Sequence, residues 1–467
     1  MIEGILKVVL VTVEVVLLFN LLILVHELGH FLAARWRGLV VEKFAVWFGR
    51  PLWSKTINGI EYRLGCIPAG GYVAIPQLAP MEAIEGKTEH DRATLAPCSP
   101  MDKIIVAAAG PLFSFGLAFA MAVVVWAVGK PEIEFDSTRV GTILEGGPAA
   151  EAGFQVGDEI VEVDGGPVKR FLSGTDSVKW KVIRSEGETI PFLVRRDGQL
   201  IELETGWTKP ESSSWRRPAL RQVGLGPLLP PGIGLVVKGS AADRAGLRTG
   251  DLVVTADKQP VSDVRDLQKI IHEFQGKKLS LTVARDGKEM PLVLTVPTAS
   301  AEGQPVEIGV QWGRVTFVHP APWTQVKEAA TSIFRMISAL ASTRSDISAA
   351  HFSGPVGIMR IYYQVFQSDY GWQLALSLSV LINVNLALLN LLPFPVLDGG
   401  HITLAVVEAI RRKPLNVRVL EVLQTACALL LIGFMLYVTF FDVGDLIESA
   451  APPPQPAEAA SPSPTAK

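Results

Sequence analysis

The chain has 467 residues, enough for several domains, and its hydrophobic content of 49% is close to that of ordinary proteins. The net charge of −3, without a long basic block, argues against nucleic acid as a partner. Three scattered cysteines show neither metal-ligand spacing nor a disulfide framework. Composition alone therefore does not identify the class of protein.

Four long runs of apolar residues with few or no charges indicate a membrane protein. Each run is long enough to cross a bilayer as a helix. We predict a multi-pass α-helical membrane protein whose four transmembrane helices lie within residues 1–37, 104–128, 371–400 and 422–441. The first run lacks a basic start and a small-residue cleavage site, so we expect a retained span and not a signal peptide.

The first predicted span ends in a metal-binding motif, His26-Glu27-Leu28-Gly29-His30. Histidines four residues apart lie on one face of a helix, where both imidazoles can bind one zinc ion. Glu27, one step round the helix, can accept a proton from water that the metal activates. Ionisable residues at membrane depth are costly and are usually functional. The alternative is a chance occurrence of the motif near the end of an apolar helix.

Residues 38–103 are predicted to form a cytoplasmic, membrane-associated β-hairpin or small sheet. Val46 to Pro51 precedes an alternating stretch from Ile60 to Leu64, and Gly70-Gly71-Tyr72 follows. An exposed strand edge here would pair with an unwound substrate strand.

Basic residues predict the orientation, because Lys and Arg mark the cytoplasmic side of a membrane. They follow the first span, precede the second and fill the predicted loop 401–421, at Arg35, Arg37, Lys103, Arg411, Arg412, Lys413 and Arg418. Both termini and residues 130–370 are therefore expected outside the cytoplasm. This arrangement puts the end of the third span at the same depth as His26 and His30.

Residues 130–315 contain an internal repeat with a constant offset of 93 residues. Gly157 to Asp164 corresponds to Gly250 to Asp257, and Ala152-Gly153 corresponds to Ala245-Gly246. The pattern resembles bacterial PDZ domains, which we expect at 130–222 and 223–315. PDZ domains add a peptide as a strand and often hold its free carboxylate. Three roles stay open for the pair: binding of newly formed C-termini, a gate against bulky substrates, or spacers without a ligand.

An amphipathic helical region is predicted at 316–370, and it leads into the third span. That span ends in Asn390-Leu-Leu-Pro-Phe-Pro-Val-Leu-Asp398-Gly. Two prolines cannot continue a regular helix, so the backbone must open here, and open backbone at membrane depth must be buried in protein or line a water-filled cavity. Zinc proteases of soluble type place a third ligand soon after the second histidine, but the positions that would supply it hold no such ligand here. Asp398 is the alternative, although an acidic cap at a helix end would also explain it.

The two motifs together resemble the site-2 protease family of intramembrane zinc metalloproteases, in particular its bacterial regulator of sigma-E branch with tandem PDZ domains. The resemblance implies one zinc ion per chain, bound by His26, His30 and Asp398, with Glu27 as general base. It implies substrate contacts from two segments, by Asn390, Pro393, Pro395, Gly70, Gly71 and Tyr72. The family leaves His401 unliganded, opens its second span with the equivalent of Gly110-Pro111, and usually has Asn where this chain has Ser114.

The predicted function is therefore cleavage of single-pass membrane proteins within the bacterial inner membrane. The resemblance implies substrates already cut once outside, such as anti-sigma factor remnants in a stress response, or signal peptide remnants. The first alternative is a non-catalytic membrane scaffold that presents two PDZ domains, and the second is a metal transporter. The residues after the fourth span, 442–467, are predicted to be a disordered tail rich in proline, alanine and serine.

Overall fold

The structure is a computed structural model that describes residues 2–78, 95–96, 98–134, 138–172, 174–210, 216–261, 263–285, 287–298, 306–342, 345–366, 370–413 and 417–450. It divides into two compact units. The first contains residues 1–131, 317–341 and 353–439, and the second contains 132–316, 342–352 and 440–467. Four helices among the described residues are long and apolar enough to cross a membrane, and small sheets lie between them in sequence. The predicted fold class is confirmed.

The first unit begins with two long helices and a small sheet between them. Helix α1 covers Ile2–Trp36, and helix α2 covers Pro100–Val128. The strands are β1 (Lys43–Phe48), β2 (Trp53–Ile57), β3 (Ile60–Leu64) and β4 (Ile67–Ala74). Their order is β2-β3-β1-β4, so β4 lies at an edge and, among the described residues, pairs with β1 alone. The small sheet expected between the first two spans is therefore present.

Helix α2 has a complete N-terminal cap. The Ser99 hydroxyl accepts a hydrogen bond from the Asp102 backbone, the Asp102 carboxylate accepts one from the Ser99 backbone, and Pro100 takes the first helical position. This cap starts the helix ten residues before Gly110 and Pro111. The expectation that Gly110-Pro111 opens the span is therefore wrong, because both residues lie inside α2.

The second unit contains two β-rich domains built on the same plan. Strand β5 (Lys130–Glu134) precedes the first domain, which has β6 (Val140–Ile143), α3 (Pro148–Glu151), β7 (Glu159–Val163), β8 (Gly166–Pro167), α4 (Val178–Arg184), β9 (Ile190–Arg196), β10 (Gln199–Thr205) and β11 (Leu225–Pro227). The second has β12 (Ile233–Val236), α5 (Ala241–Arg244), β13 (Leu252–Ala256), β14 (Gln259–Pro260), α6 (Val264–Glu273), β15 (Lys278–Arg285), β16 (Lys288–Thr295) and β17 (Val310–Trp312). Each domain has a four-stranded sheet, a two-stranded sheet and its own apolar core.

Strand pairing moves the boundary between these two domains. Strand β11 pairs with β6 of the first domain, and Val223 lies in the core of that domain. The expected division at 222/223 assigns both β11 and Val223 to the second domain. The repeated motif did not reveal this, because it marks only the middle of each domain. The equivalent strand of the second domain, β17, pairs with β12.

A buried ion pair occupies the same position in both domains. Asp158 accepts two hydrogen bonds from Arg196, at 2.7 and 2.8 Å, and one from the Gln155 backbone. Asp251 accepts two from Arg285, both at 2.7 Å, and one from the Arg248 backbone. Each pair joins the Gly-Asp turn to a neighbouring strand, which explains why the repeat preserves an aspartate here.

Further helices follow along the chain, most of them in the first unit. After β18 (Arg314–Val318), which pairs with β5, come α7 (Pro322–Ala341), a 3-10 turn at Ala349–His351, α8 (Pro355–Phe366), α9 (Gly371–Asn390), α10 (Asp398–Arg411) and α11 (Val417–Ala450). The amphipathic helix expected in this region corresponds to α7. The prediction of a loop at 401–421 is wrong for its first part, which belongs to helix α10. Its charged residues suggested a loop, but they are equally compatible with the end of a helix.

The predicted disordered tail also begins as a helix. Helix α11 continues to Ala450, and residues 451–467 lie outside the described part of the chain. Asp442 and Asp445 each accept a hydrogen bond of 2.8 Å from Arg217. These ionic contacts stabilise the helix beyond the apolar run, where the sequence pattern alone places its end.

We expect Asp158→Asn to destabilise the first β-rich domain by roughly 3 kcal/mol, because it leaves Arg196 without its buried partner. Burial by itself raises the pKa of Asp158, but the hydrogen bonds from Arg196 and Gln155 outweigh it and hold the pKa below its usual value. The pair therefore stabilises the domain above the unfolded pKa of about 4, and this contribution is lost as pH falls through the folded pKa.

The measurement is backbone hydrogen exchange of the full-length protein in detergent, from neutral to acidic pH. Exchange in β9 should rise in the variant at neutral pH, and the difference from the parent should shrink on acidification. Glu151→Gln, at an exposed position of the same domain, is the control. Equal exchange in the two variants would contradict the stabilising role of the pair.

Candidate metal centre and active site

The two histidines of the HExxH motif lie where α1 and α2 pack closely against each other. A side chain at Gly29 would put its Cβ 2.5 Å from the Ala109 carbonyl oxygen, and one at Gly110 would put its Cβ 2.2 Å from His30 Nε2. Only glycine fits at either position. The absence of side chains lets the helices approach until the His30 ring rests on the α2 backbone.

Hydrogen bonds from the second helix orient both imidazole rings. His30 Nδ1 lies 2.8 Å from the Val106 carbonyl oxygen, which can only accept, so Nδ1 carries the proton. His26 Nδ1 lies 3.1 Å from Oγ of Ser114, whose side chain is completely buried. With Nδ1 of each ring held on α2, the two Nε2 atoms face the space between the helices, where that of His30 lies next to Gly110.

These two nitrogens meet the carboxylate of Asp398. His26 Nε2 lies 3.2 Å from Asp398 Oδ2, His30 Nε2 lies 3.4 Å from Oδ1, and the two Nε2 atoms are 3.3 Å apart. Apart from this contact with His26, Oδ2 is buried and has no hydrogen-bond partner among the described residues. Three groups that can each donate an electron pair therefore converge on one point, which suits a bound cation.

The donor set fits zinc. Two imidazole nitrogens and one carboxylate oxygen, all within 4.8 Å of one another, are ligands that zinc accepts in a tetrahedral arrangement. Three protein ligands also leave a fourth position open, as in catalytic zinc sites. Zinc would be held by His26, His30 and Asp398.

Asp398 reaches this point because the third span breaks. Helix α9 ends at Asn390 and α10 begins at Asp398, so the backbone opens at the two prolines as predicted. The chain folds tightly in the gap: a Cβ at Gly399 would lie 2.1 Å from the Leu391 carbonyl oxygen, and one at Gly400 would lie 2.0 Å from that of Phe394. The two glycines therefore permit the turn that presents Asp398 to the histidines.

A cavity of about 310 Å³ opens beside the three ligands. Seven of the predicted site residues line it: His26, Glu27, His30, Gly71, Tyr72, Asn390 and Asp398. The Asn390 amide nitrogen lies 3.3 Å from His26 Nε2. The predicted residues Gly70, Pro393 and Pro395 are not among those that line the cavity. His401 lines it but is not one of the three converging ligands.

The sequence did not reveal several residues that shape the site. Phe48 and Lys103 line the cavity, and Ser114 contacts His26. Phe48 lies in the stretch from Val46 to Pro51, which was predicted as part of the sheet without a role in the site. Ser114 was noticed only as a departure from the family pattern, and the contact with His26 explains why a polar residue lies in that apolar span.

The chain is similar over nearly its whole length to known proteases. The sequence profile described as peptidase family M50 matches residues 14–434. A protein of Neisseria meningitidis named as a zinc metalloprotease is 30% identical, over 91% of this chain and 97% of that protein. The regulators of sigma-E protease RseP of Salmonella typhimurium and Escherichia coli are each 28% identical, over 92% and 91% of this chain and 98% and 97% of their own lengths.

We expect Gly110→Ala to weaken zinc binding by at least about tenfold, the size of effect seen when the surroundings of a ligand are disturbed. The new Cβ would overlap His30 Nε2 and displace the ring. Gly116→Ala is a matched control in the same helix, because a Cβ there meets nothing within 4 Å. Zinc affinity is measured by competition with a chelator on the purified proteins. Equal affinities in the two variants would refute the close packing of His30 on Gly110.

Proposed function

Since the chain belongs to peptidase family M50, the intramembrane zinc metalloproteases, we propose that it cuts single-pass membrane proteins that remain after a first cleavage. Anti-sigma factor remnants and signal peptide remnants are the substrates we propose. The observation that carries the proposal is the convergence of His26, His30 and Asp398 beside Glu27 on a cavity between apolar helices.

The proposed site holds one zinc ion per chain on His26, His30 and Asp398. When bound, zinc would supply a Lewis acid that polarises the scissile carbonyl and makes a water molecule acidic enough to react near neutral pH. The chain itself supplies the proton transfers. Glu27 lines the cavity one residue from His26, which suits it to act as the general base. It would accept the proton of the attacking water and pass a proton to the leaving amine.

The substrate must be extended to reach this site, because the carbonyl groups of a helix are bound to its own N–H groups. We propose that the substrate adds as a further strand to the outer edge of β4, which no described strand covers. Gly71 and Tyr72 of β4 line the cavity, and a Cβ at Gly71 would lie 3.0 Å from Glu27 Cγ. An added strand would therefore lie close to Glu27. Asn390 would bond the substrate backbone from the opposite wall.

We propose that the metal site lies near the cytoplasmic side and that the two β-rich domains lie outside. Two ion pairs support this orientation, because they group the basic residues at one end of the first unit. Arg37 at the end of α1 pairs with Asp102 at the start of α2, at 2.6 Å, and Lys103 pairs with Glu408 of α10, also at 2.6 Å. A cytoplasmic position would give water easy access to the site.

The two β-rich domains resemble PDZ domains in sequence, and we propose that they regulate access of the substrate. They would either bind the C-terminus that the first cleavage creates or exclude substrates that still carry a large external domain. Both roles explain a requirement for a prior cut.

The reaction is tested with purified, zinc-loaded protein and a single-span model substrate. We expect Glu27→Gln to lower the cleavage rate by about 10²- to 10⁴-fold, the usual contribution of a general base, with zinc still bound. Asp398→Asn should lose both zinc and activity, because it removes an anionic ligand. The measurements are product mass, which locates the cut, and zinc content.

Two outcomes would contradict the proposal. Cleavage by the Glu27→Gln variant at the parent rate would exclude Glu27 as the base. Zinc binding without cleavage, both in the parent and after deletion of residues 131–315, would favour a non-catalytic scaffold. Cleavage only after that deletion would instead support a gate formed by the β-rich domains.

Ser114 is proposed as a positioning residue for His26. Its oxygen would accept the hydrogen of His26 Nδ1 and so fix the tautomer that offers Nε2 to the metal. We expect Ser114→Ala to weaken zinc binding by about 10- to 100-fold and Ser114→Asn, which keeps an acceptor oxygen, to restore part of it. Chelator competition measures the affinities.

The control for this test is Ser379→Ala. Ser379 is equally buried in α9, but it bonds Tyr362 and the Ala375 carbonyl oxygen and not a histidine. Its variant should bind zinc as the parent does. An equal loss in both variants would show that removal of any buried hydroxyl disturbs the site, and the specific role of Ser114 would then be rejected.

A further inference from the structure

Trp47 has a backbone conformation that bulky residues rarely adopt. Its φ is +69°, in the left-handed region, and it occupies a bulge where the pairing of β1 with β4 shifts between Val46 and Phe48. Glycine would accept this conformation without strain. A tryptophan that persists there must be held by contacts of its side chain.

The side chain of Trp47 is held by helix α1. Its indole Nε1–H donates a hydrogen bond to Oδ1 of Asn20. Asn20 Nδ2 donates in turn to the Val16 carbonyl oxygen at 2.6 Å, one helical turn earlier. This second bond fixes the orientation of the amide, so that its oxygen points at the sheet.

The contact lies at membrane depth. Asn20 is well inside the candidate span Val9–Trp36, six residues before His26 and thus about 9 Å along the helix axis from it. Polar groups in the apolar interior of a membrane must find partners within the protein. Asn20 and Trp47 satisfy this requirement for each other, and their hydrogen bond ties the bulge of β1 to α1.

The residue after the bulge forms a wall of the cavity. Phe48 lines the cavity and stacks on Tyr72 of β4, with ring centroids 6.0 Å apart and planes 5° from parallel. Gly70 lies directly beneath the Phe48 ring, since a Cβ there would be 2.3 Å from it. The bulge at Trp47 therefore determines where this aromatic pair stands relative to the metal ligands.

We propose that Asn20 and Trp47 are positioning residues for the substrate. Their hydrogen bond holds the bulge in place, so that Phe48 and Tyr72 form a fixed apolar wall against an extended substrate segment beside β4. This inference rests on the proposed function and adds two residues that touch neither metal nor reacting atoms. It predicts an effect on substrate binding and none on the metal site.

The test uses the full-length, zinc-loaded protein and the single-span model substrate. Asn20→Leu removes the acceptor, and Trp47→Phe removes the donor while keeping an aromatic ring. Each should raise KM roughly tenfold, as expected for a lost buried hydrogen bond, with kcat and zinc affinity within about twofold of the parent. The double variant should be no worse than either single variant, because both remove the same interaction.

Trp53→Phe is the matched control, since Trp53 lies on β2 of the same sheet with 53% of its surface exposed. Its KM should equal that of the parent. Unchanged KM in both test variants, additive effects in the double variant, or an equal effect of Trp53→Phe would overturn the proposal.

A second readout does not depend on catalysis. Hydrogen exchange at residues 45–48 and 71–73 should increase in Asn20→Leu and in Trp47→Phe, but not in Trp53→Phe. If the parent cuts no substrate, the proposed function fails, and the exchange data alone then decide whether the hydrogen bond holds the sheet. Unchanged exchange in the two test variants would reject it.

Discussion

The close approach of α1 and α2 is the constraint on which the site depends. Glycine at 29 and 110 brings the helices together until the His30 ring rests on the α2 backbone, with its Nδ1 on the Val106 carbonyl oxygen. One turn of α2 beyond Gly110, the hydroxyl oxygen of Ser114 contacts Nδ1 of His26. A metal site needs ligand side chains that are oriented before the ion binds, and here contacts with α2 orient the two imidazole rings.

The broken third span supplies what a continuous helix could not. A regular helix from Asn390 to Asp398 would carry the carboxylate about 12 Å along its axis. The turn at residues 391–397, closed by Gly399 and Gly400, keeps Asn390 and Asp398 on the same cavity. The sheet supplies the other wall, and its bulge at Trp47 is tied to Asn20 on the helix that carries the histidines. The two histidines and the bulge of the sheet thus share α1 as a common support.

Much of this was predictable from local patterns. The apolar runs predicted four membrane helices, HExxH predicted two ligands on one helical face, and the two prolines predicted an opening next to Asp398. The repeat at an offset of 93 residues predicted two similar domains, and the paired Asp158–Arg196 and Asp251–Arg285 contacts give the physical reason why each contains the same aspartate. The boundary between those domains was misplaced, because the strand that completes the first domain pairs with one more than 80 residues earlier.

The sequence by itself determined the four apolar helices, the metal-ligand types and the break of the third span at its two prolines, because each follows from spacing along a few neighbouring residues. Only the tertiary structure decided which distant groups meet: Ser114 with His26, Gly110 with His30, Trp47 with Asn20 and Phe48 with the cavity. It also decided that Gly70, Pro393 and Pro395 are not among the residues that line the cavity. These contacts depend on how closely two helices approach and on one extra residue in a strand. Local spacing in the sequence gives neither the separation of the helices nor the position of the bulge, because both are set by the packing of the folded chain.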